Sequence, residues 1–192
     1  MEVKYILASK SPRRRELLAK ITDRFEIVTA EVDETVPEGT PPRSGVELLA
    51  VRKGAAVAEG RAESLVISSD TLVELDGAPL GKPRDEEDAY LMLRALSGRA
   101  HNVHTGVAVH YRGRVYSGVD STAVCFRELT DREILDYIAT GEPMDKAGAY
   151  GIQGGAGAFV ESTSGERDTV VGLSLRLTAE LIRRALGGGG EV

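Results

Sequence analysis

Apolar residues run almost unbroken from Val3 to Ala8, a pattern that predicts a buried strand. Ser11-Pro12 follows, a serine suited to cap a helix and a proline suited to its first position, with Leu17, Leu18 and Ile21 as the apolar stripe. Phe25 to Val28 is a short strand candidate, and Pro37 to Pro42 reads as a loop. Ser44 with Glu47 forms a capping box for a helix to about Glu59, stopped by Gly60. Leu65 to Leu75 is an apolar run with Asp70-Thr71 at its middle, and Asp76-Gly77 is a tight-turn signal.

Pro83-Arg84-Asp85 opens a helix through Leu96, closed by Gly98. His101 to Tyr111 and Val115 to Phe126 flank Arg112-Gly113-Arg114, which predicts a long hairpin. Thr130 with Glu133 is a second capping box, for a helix to about Thr140. Asp145 to Gly157 is glycine-rich and polar, Ala158 to Glu161 resumes as a strand, and Val171 to Leu186 closes as one amphipathic helix. Helices and strands alternate, yet the hairpin demands antiparallel pairing. The predicted class is therefore α/β with a mixed sheet.

A length of 192 residues, 42% of them hydrophobic, allows one domain or two closely packed lobes. The net charge of −6, with both signs intermixed, speaks against an extended nucleic-acid groove but leaves room for a local cationic pocket. The lone Cys125 cannot form an internal disulfide; it reads as a packing residue, and a cytoplasmic protein is expected. No apolar stretch approaches the roughly 20 residues that span a bilayer, so no membrane partner is expected.

Candidate chemistry begins at Ser9-Lys10-Ser11-Pro12-Arg13-Arg14, where a strand gives way to a helix. Arginines near a helix N-terminus are unfavourable for the helix alone, and a bound polyanion reverses that sign. The same residues fit a solvated basic turn, with Lys10 and Arg15 facing solvent. Asp33-Glu34 precede a loop and mean little alone. Asp70 is more telling, because an acid inside an apolar strand is costly without a partner. A metal, a water molecule or a neighbouring loop could each serve it. Lys53 and Lys82 are surface lysines in the bland reading and phosphate ligands in the other.

Thr140 to Gly154 carries enough glycine for a backbone to approach a ligand, and Gln153 there offers a donor and an acceptor. The bland reading is a flexible loop. His101, His104 and His110 read as structural or surface residues. Only His104 and His110 share strand parity, and about 20 Å apart they cannot hold one metal.

Together these segments resemble the Maf family of nucleotide pyrophosphatases. The matching stretches are LASKSPRRRELL (7–18), VDE (32–34), ISSDTLV (67–73), GKPRD (81–85), LSGRAHNVHTGV (96–107) and GEPMDKAGAYGIQG (141–154). The last is similar to the branch acting on dTTP and UTP. The resemblance implies an elongated mixed sheet flanked by helices, two lobes with a central cleft in one domain over 1–186, and a homodimer; the glycine run itself predicts a flexible tail over 187–192. It implies substrate binding by Ser9, Arg13, Arg14, Thr71 and Gln153, with Arg13, Thr71 and Gln153 at positions linked to base selection. Catalytic roles fall to Asp70, Glu34, Lys53 and Lys82, and Glu34 and Asp70 are implied as ligands of Mg²⁺ or Mn²⁺. Asp70 matches the proton acceptor. Two departures, serine at 69 for a frequent alanine and serine at 174 for a frequent proline, look peripheral to the site. The expected reaction releases monophosphate and pyrophosphate. The alternative is a nucleotide-binding regulator of cell division that does not hydrolyse its ligand.

Overall fold

Residues 3–187 are described by the computed structural model. The expected tail at 187–192 lies outside them, except for Gly187, which caps the last helix. The strands form one seven-stranded mixed sheet. Numbered in chain order, they are β1 (Lys4–Leu7), β2 (Phe25–Ile27), β3 (Ser64–Leu75), β4 (Ala78–Leu80), β5 (Ala100–Tyr111), β6 (Arg114–Phe126) and β7 (Val160–Ser164). Their order is β2-β1-β3-β5-β6-β7, with β4 paired to β3. The helices are α1 (Pro12–Leu18), α2 (Pro42–Ala58), α3 (Glu86–Leu96), α4 (Asp131–Ile138), α5 (Arg167–Val171) and α6 (Leu175–Leu186). The α/β class with a mixed sheet is as predicted.

The chain divides into two compact units. The first comprises residues up to Asp70, Thr105–Asp120, and the chain from Gly172 onward. Here β1 pairs in parallel with β2, Tyr5 opposite Phe25, and with β3, Tyr5 opposite Leu65. Being central, β1 buries both faces at Ile6 and Leu7, which explains the apolar run that follows exposed Lys4. Two glycines set how closely α2 lies on the sheet. A Cβ on Gly54 would stand 2.5 Å from the His110 ring and from Ser68 Oγ, and one on Gly106 would stand 2.5 Å from the Val46 carbonyl oxygen. Ser68 Oγ donates to the Ala50 carbonyl (2.7 Å) and His110 Nε2 to that of Val51 (3.1 Å), so polar groups on the sheet pin the helix.

The second unit comprises Thr71–His104 and Ser121–Val171. The Asp76-Gly77 turn, both residues at positive φ, folds β4 back on β3 with Val73 opposite Leu80. The core is an aromatic cluster centred on Phe126, which meets His101 edge-on at 5.0 Å and Tyr150 at 4.8 Å between ring centroids. Leu93, Leu96 and Ile134 close over it from α3 and α4. The Thr130–Glu133 capping box forms as predicted, each side chain bonding the other's backbone N–H.

Three expectations are corrected. The helix expected to start at Ser44 begins at Pro42 instead, with Pro41 at the cap position and no side-chain cap. Proline at the first position needs no N–H partner and sets a helical φ, so no serine is required. Ser44 and Glu47 therefore lie inside α2, and Glu47 accepts from Ser117 Oγ (2.7 Å). The closing helix is two: the chain leaves α5 at Gly172 (φ +125°), and Ser174 caps α6 by accepting from the Leu177 N–H (3.1 Å). The glycine-rich segment is built of short 3-10 turns with Ala149, Tyr150, Ile152 and Ala156 buried, and does not form an open loop.

Candidate functional site

The basic turn after β1 is ordered by its own hydroxyls. Ser9 Oγ accepts from the Ser11 N–H (3.2 Å), and Ser11 Oγ caps α1 by accepting from the Arg14 N–H (3.4 Å). Ser9 is buried, whereas Lys10 and Arg15 are exposed as expected. Arg14 folds inward, its Nε donating to the Gly172 carbonyl (3.0 Å). Burial lowers its pKa from the usual guanidinium value, and neighbouring Arg13 adds to that, while Asp70 and Glu34 oppose it. Two arginines and two carboxylates therefore act on one another within the first unit.

Lys53 is the hub. Its Nζ donates to Asp70 Oδ1 at 2.6 Å and meets Glu34 Oε1 at 2.8 Å. The side chains of Lys53 and Asp70 are 19% and 14% exposed, that of Glu34 60%, so the pair sits at the bottom of the group and Glu34 at its open side. Lys53 reaches this spot because the next residue is Gly54, whose lack of a side chain lets α2 press onto β3. The partner that meets Asp70 is thus a lysine of α2, outside the metal, water molecule or neighbouring loop left open for it. The Asp33-Glu34 loop is held by Arg52, whose Nη1 donates to the Asp33 carbonyl (2.6 Å) and the Thr35 carbonyl (2.8 Å). Asp33 turns away and accepts from the Thr35 N–H (2.8 Å); hydrogen bonding from the Thr35 side chain, and then from its backbone, lowers the Asp33 pKa. Nothing in the linear pattern marks Arg52 as the strut of this loop.

Of the nine predicted site residues, Ser9, Arg13, Arg14, Glu34, Lys53 and Asp70 lie in this first unit. Thr71, Lys82 and Gln153 lie in the second. Thr71 follows Asp70 on β3 and so points to the opposite face of the strand. Lys82 and Gln153 are both exposed, and their segments are joined by the Gly148 N–H, which donates to the Gly81 carbonyl (2.9 Å). Gly148 is at φ +67°, and a Cβ there would stand 2.9 Å from Val73 Cγ2. Of the two departures noted above, Ser69 is not peripheral: its Oγ donates to the Gly172 carbonyl (3.0 Å) that Arg14 also uses. Ser174 Oγ bonds Asp120 as well as capping α6.

All three histidines are buried. His101 meets Tyr150 Oη at 2.8 Å, and burial pulls its pKa down to about 4. His110 is lowered for the same reason. His104 lies between Ser121 Oγ and Glu74 Oε2, 2.7 Å from each. They serve the sheet, as the structural reading held. Among the described residues no three His, Cys, Asp or Glu side chains form a ready metal-binding set, and no helix is long and apolar enough to cross a membrane. A surface groove between α3 and α4, lined by Glu86, Tyr90, Asp131 and Leu135, holds none of the predicted site residues.

A family model described as "Maf-like protein" matches residues 4–185. A dTTP/UTP pyrophosphatase of Anaeromyxobacter sp. (strain Fw109-5) is 52% identical over 190 residues, covering 96% of this chain and 91% of that one. A dTTP/UTP pyrophosphatase of Photorhabdus laumondii subsp. laumondii is 51% identical over 179 residues, covering 93% and 92%. Among solved structures, a nucleoside-triphosphatase / dITP/XTP pyrophosphatase from Mycobacterium abscessus aligns over 96% of both chains, at 14% identity and a TM-score of 0.48.

Proposed function

The chain belongs to the family of Maf-like proteins, and on that premise we propose that it hydrolyses dTTP and UTP to the monophosphate and pyrophosphate. The observation that carries the proposal is the convergence of Asp70, Glu34, Lys53 and Arg14 in one unit, where cations and carboxylates together suit a triphosphate. Relatives of about half identity over nearly the whole chain bear the name of that activity.

In the mechanism, a water molecule attacks the α-phosphorus in line with the oxygen bridging to the β-phosphorus. The new P–O bond forms as that bridge breaks, pyrophosphate leaves, and the proton of the water passes to Asp70. Asp70 suits this role because Lys53 holds it on one oxygen, which fixes the carboxylate's direction. Arg13, Arg14 and Lys53 offset charge on the phosphates and on the leaving group; Lys82 is a further cation carried over from the resemblance. Arg14 Nε donates to the Gly172 carbonyl, which fixes the direction of its side chain. Thr71 and Gln153 are carried over from the resemblance as base-selecting residues, and so, separately, is Arg13. The two-sided amide of Gln153 can satisfy the O4 and N3–H edge of uracil or thymine.

A divalent cation fits the donor set. Asp70 and Glu34 already share one positive group, and Mg²⁺ or Mn²⁺ typically takes one or two carboxylates with phosphate oxygens and water. These two residues would hold it, and it would supply charge for the phosphates and a more acidic water.

The test is a panel of nucleoside triphosphates with Mg²⁺ or Mn²⁺, products resolved by chromatography. Monophosphate plus pyrophosphate, fastest from dTTP or UTP, is expected. Orthophosphate instead would make the protein a simple phosphatase. Saturable binding without turnover would make it a nucleotide-binding regulator.

A further inference from the structure

We infer that Glu142 is a positioning residue for base selection: its carboxylate, with the Tyr137 hydroxyl, clamps the turn that carries Gln153. The inference rests on the reading of Gln153 above and names the group that keeps its amide in place. Gln153 is exposed at the tip of a turn closed by the Gly154 N–H donating to the Gly151 carbonyl (3.0 Å). An exposed amide on a glycine-flanked tip has no reason to keep one direction. Two backbone N–H groups on either side of it are nevertheless held. That of Gly151 donates to Tyr137 Oη (3.1 Å), and that of Gly155 donates to Glu142 Oε2 (3.0 Å). Tyr137 in turn donates to Glu142 Oε1 (3.0 Å), so one carboxylate reaches both ends of the turn.

The clamp is rigid because each jaw is fixed. Tyr137 is buried on α4, edge-on to Phe159 at 5.3 Å between ring centroids. Burial, with Glu142 adding to it, pushes its hydroxyl well above the ordinary phenol value, so it stays a proton donor. Glu142 is tied by its own backbone: its N–H donates to Thr140 Oγ1 (3.2 Å), and Lys146 Nζ donates to its carbonyl (2.6 Å). The glycines of the tip are shaped to this carboxylate. A Cβ on Gly154 would stand 1.9 Å from Glu142 Oε1, and one on Gly151 would stand 3.1 Å from the same atom. Between the jaws the buried side chain of Ile152 anchors the turn to the core, which leaves the neighbouring Gln153 as the side chain it presents. Two-sided recognition of a base edge depends on the amide holding one orientation, since a loosened donor–acceptor pair satisfies several edges equally poorly.

The experiment compares kcat/KM for UTP, dTTP, CTP and ATP in wild type, Glu142→Ala, Tyr137→Phe, Gln153→Ala and the Glu142→Ala/Gln153→Ala double variant. Thermal melts accompany each to establish folding. Glu142→Ala is expected to lower the preference for UTP over CTP about tenfold, the worth of one well-placed hydrogen bond. It should move toward the Gln153→Ala value, and the double variant should lose little more, because both changes remove the same discrimination. Tyr137→Phe should shift preference the same way and less, and it carries the test if Glu142→Ala does not fold. A uniform loss on all four nucleotides, with the preference ratio kept, would overturn the inference and leave Glu142 as a packing residue. So would independent, multiplying losses in the double variant. A wild type without base preference, or a Gln153→Ala variant that keeps it, would instead remove the reading of Gln153 on which the clamp depends.

Discussion

Acid titration of His101 offers a measurable consequence of the second unit's aromatic core. The ring is 4% exposed, set edge-on to Phe126 at 5.0 Å and to Tyr150 at 5.4 Å between centroids. Burial lowers its pKa from 6.5 to about 4, so in the fold the imidazole stays neutral where a free histidine takes up a proton. The unfolded chain therefore binds that proton first. Stability is full above about pH 6.5, falls as the pH drops, and stops falling from this source once the native ring protonates near 4. At about 1.4 kcal/mol per tenfold change in proton affinity, the gap corresponds to roughly 3 kcal/mol. His101→Gln removes the titration and keeps a polar atom for the Tyr150 hydroxyl. Urea unfolding followed by circular dichroism at about pH 7.5, 6 and 4.5 measures both proteins. The variant starts less stable, having lost ring packing, but wild type should lose roughly 2–3 kcal/mol more across the range. His110, also lowered by burial, titrates in both and cancels from the difference. Parallel curves for the two proteins would refute the reasoning.

Asp70→Asn should lower the rate by about two to four orders of magnitude with little change in melting temperature, checked by steady-state kinetics and a thermal melt; a near-wild-type rate would pass the base role to another group. Gly54→Ala places a methyl 2.5 Å from the His110 ring and Ser68 Oγ. Overpacking of about 1–3 kcal/mol, less about 1 kcal/mol of helix propensity, should destabilise the protein and displace Lys53, read as a lower midpoint and a lower rate. Thr130→Ala breaks the capping box of α4 and should cost about 1 kcal/mol in urea unfolding without altering base preference.

The helices and strands with strong local signals were legible because their signals are local. Ser11-Pro12 and Thr130–Glu133 act within one turn of chain, and both cap as predicted. The Asp76-Gly77 and Arg112-Gly113 turns take positive φ at all four residues, a demand readable from residue type. The misreadings came where two local signals competed. Pro42 overrode the Ser44 box at the start of α2, and Gly172 with Ser174 split what periodicity alone joined into one helix. The glycine-rich segment misled on composition, because small residues at 148 and 149 fit tight packing as well as a loose loop.

For the site, the sequence by itself determined which chemical groups are present, their order, and, through the resemblance they make together, the family. A carboxylate inside an apolar strand announces that it needs a partner, but the partner's identity is a matter of distance in space. Only the tertiary structure decided that Asp70 is answered by Lys53, 17 residues earlier, and that Glu34 shares the same ammonium. Only there does the approach of α2 at Gly54 bring the lysine into reach, and only there do Glu142 and Tyr137 close on a turn whose residues are 13 and 14 positions away. Backbone preferences act over a few residues and leave traces in a linear pattern. Pairing of charges and gripping of backbone amides act across the fold, at a cost or gain that depends on burial and angle, so the same residues read alone permit several partners.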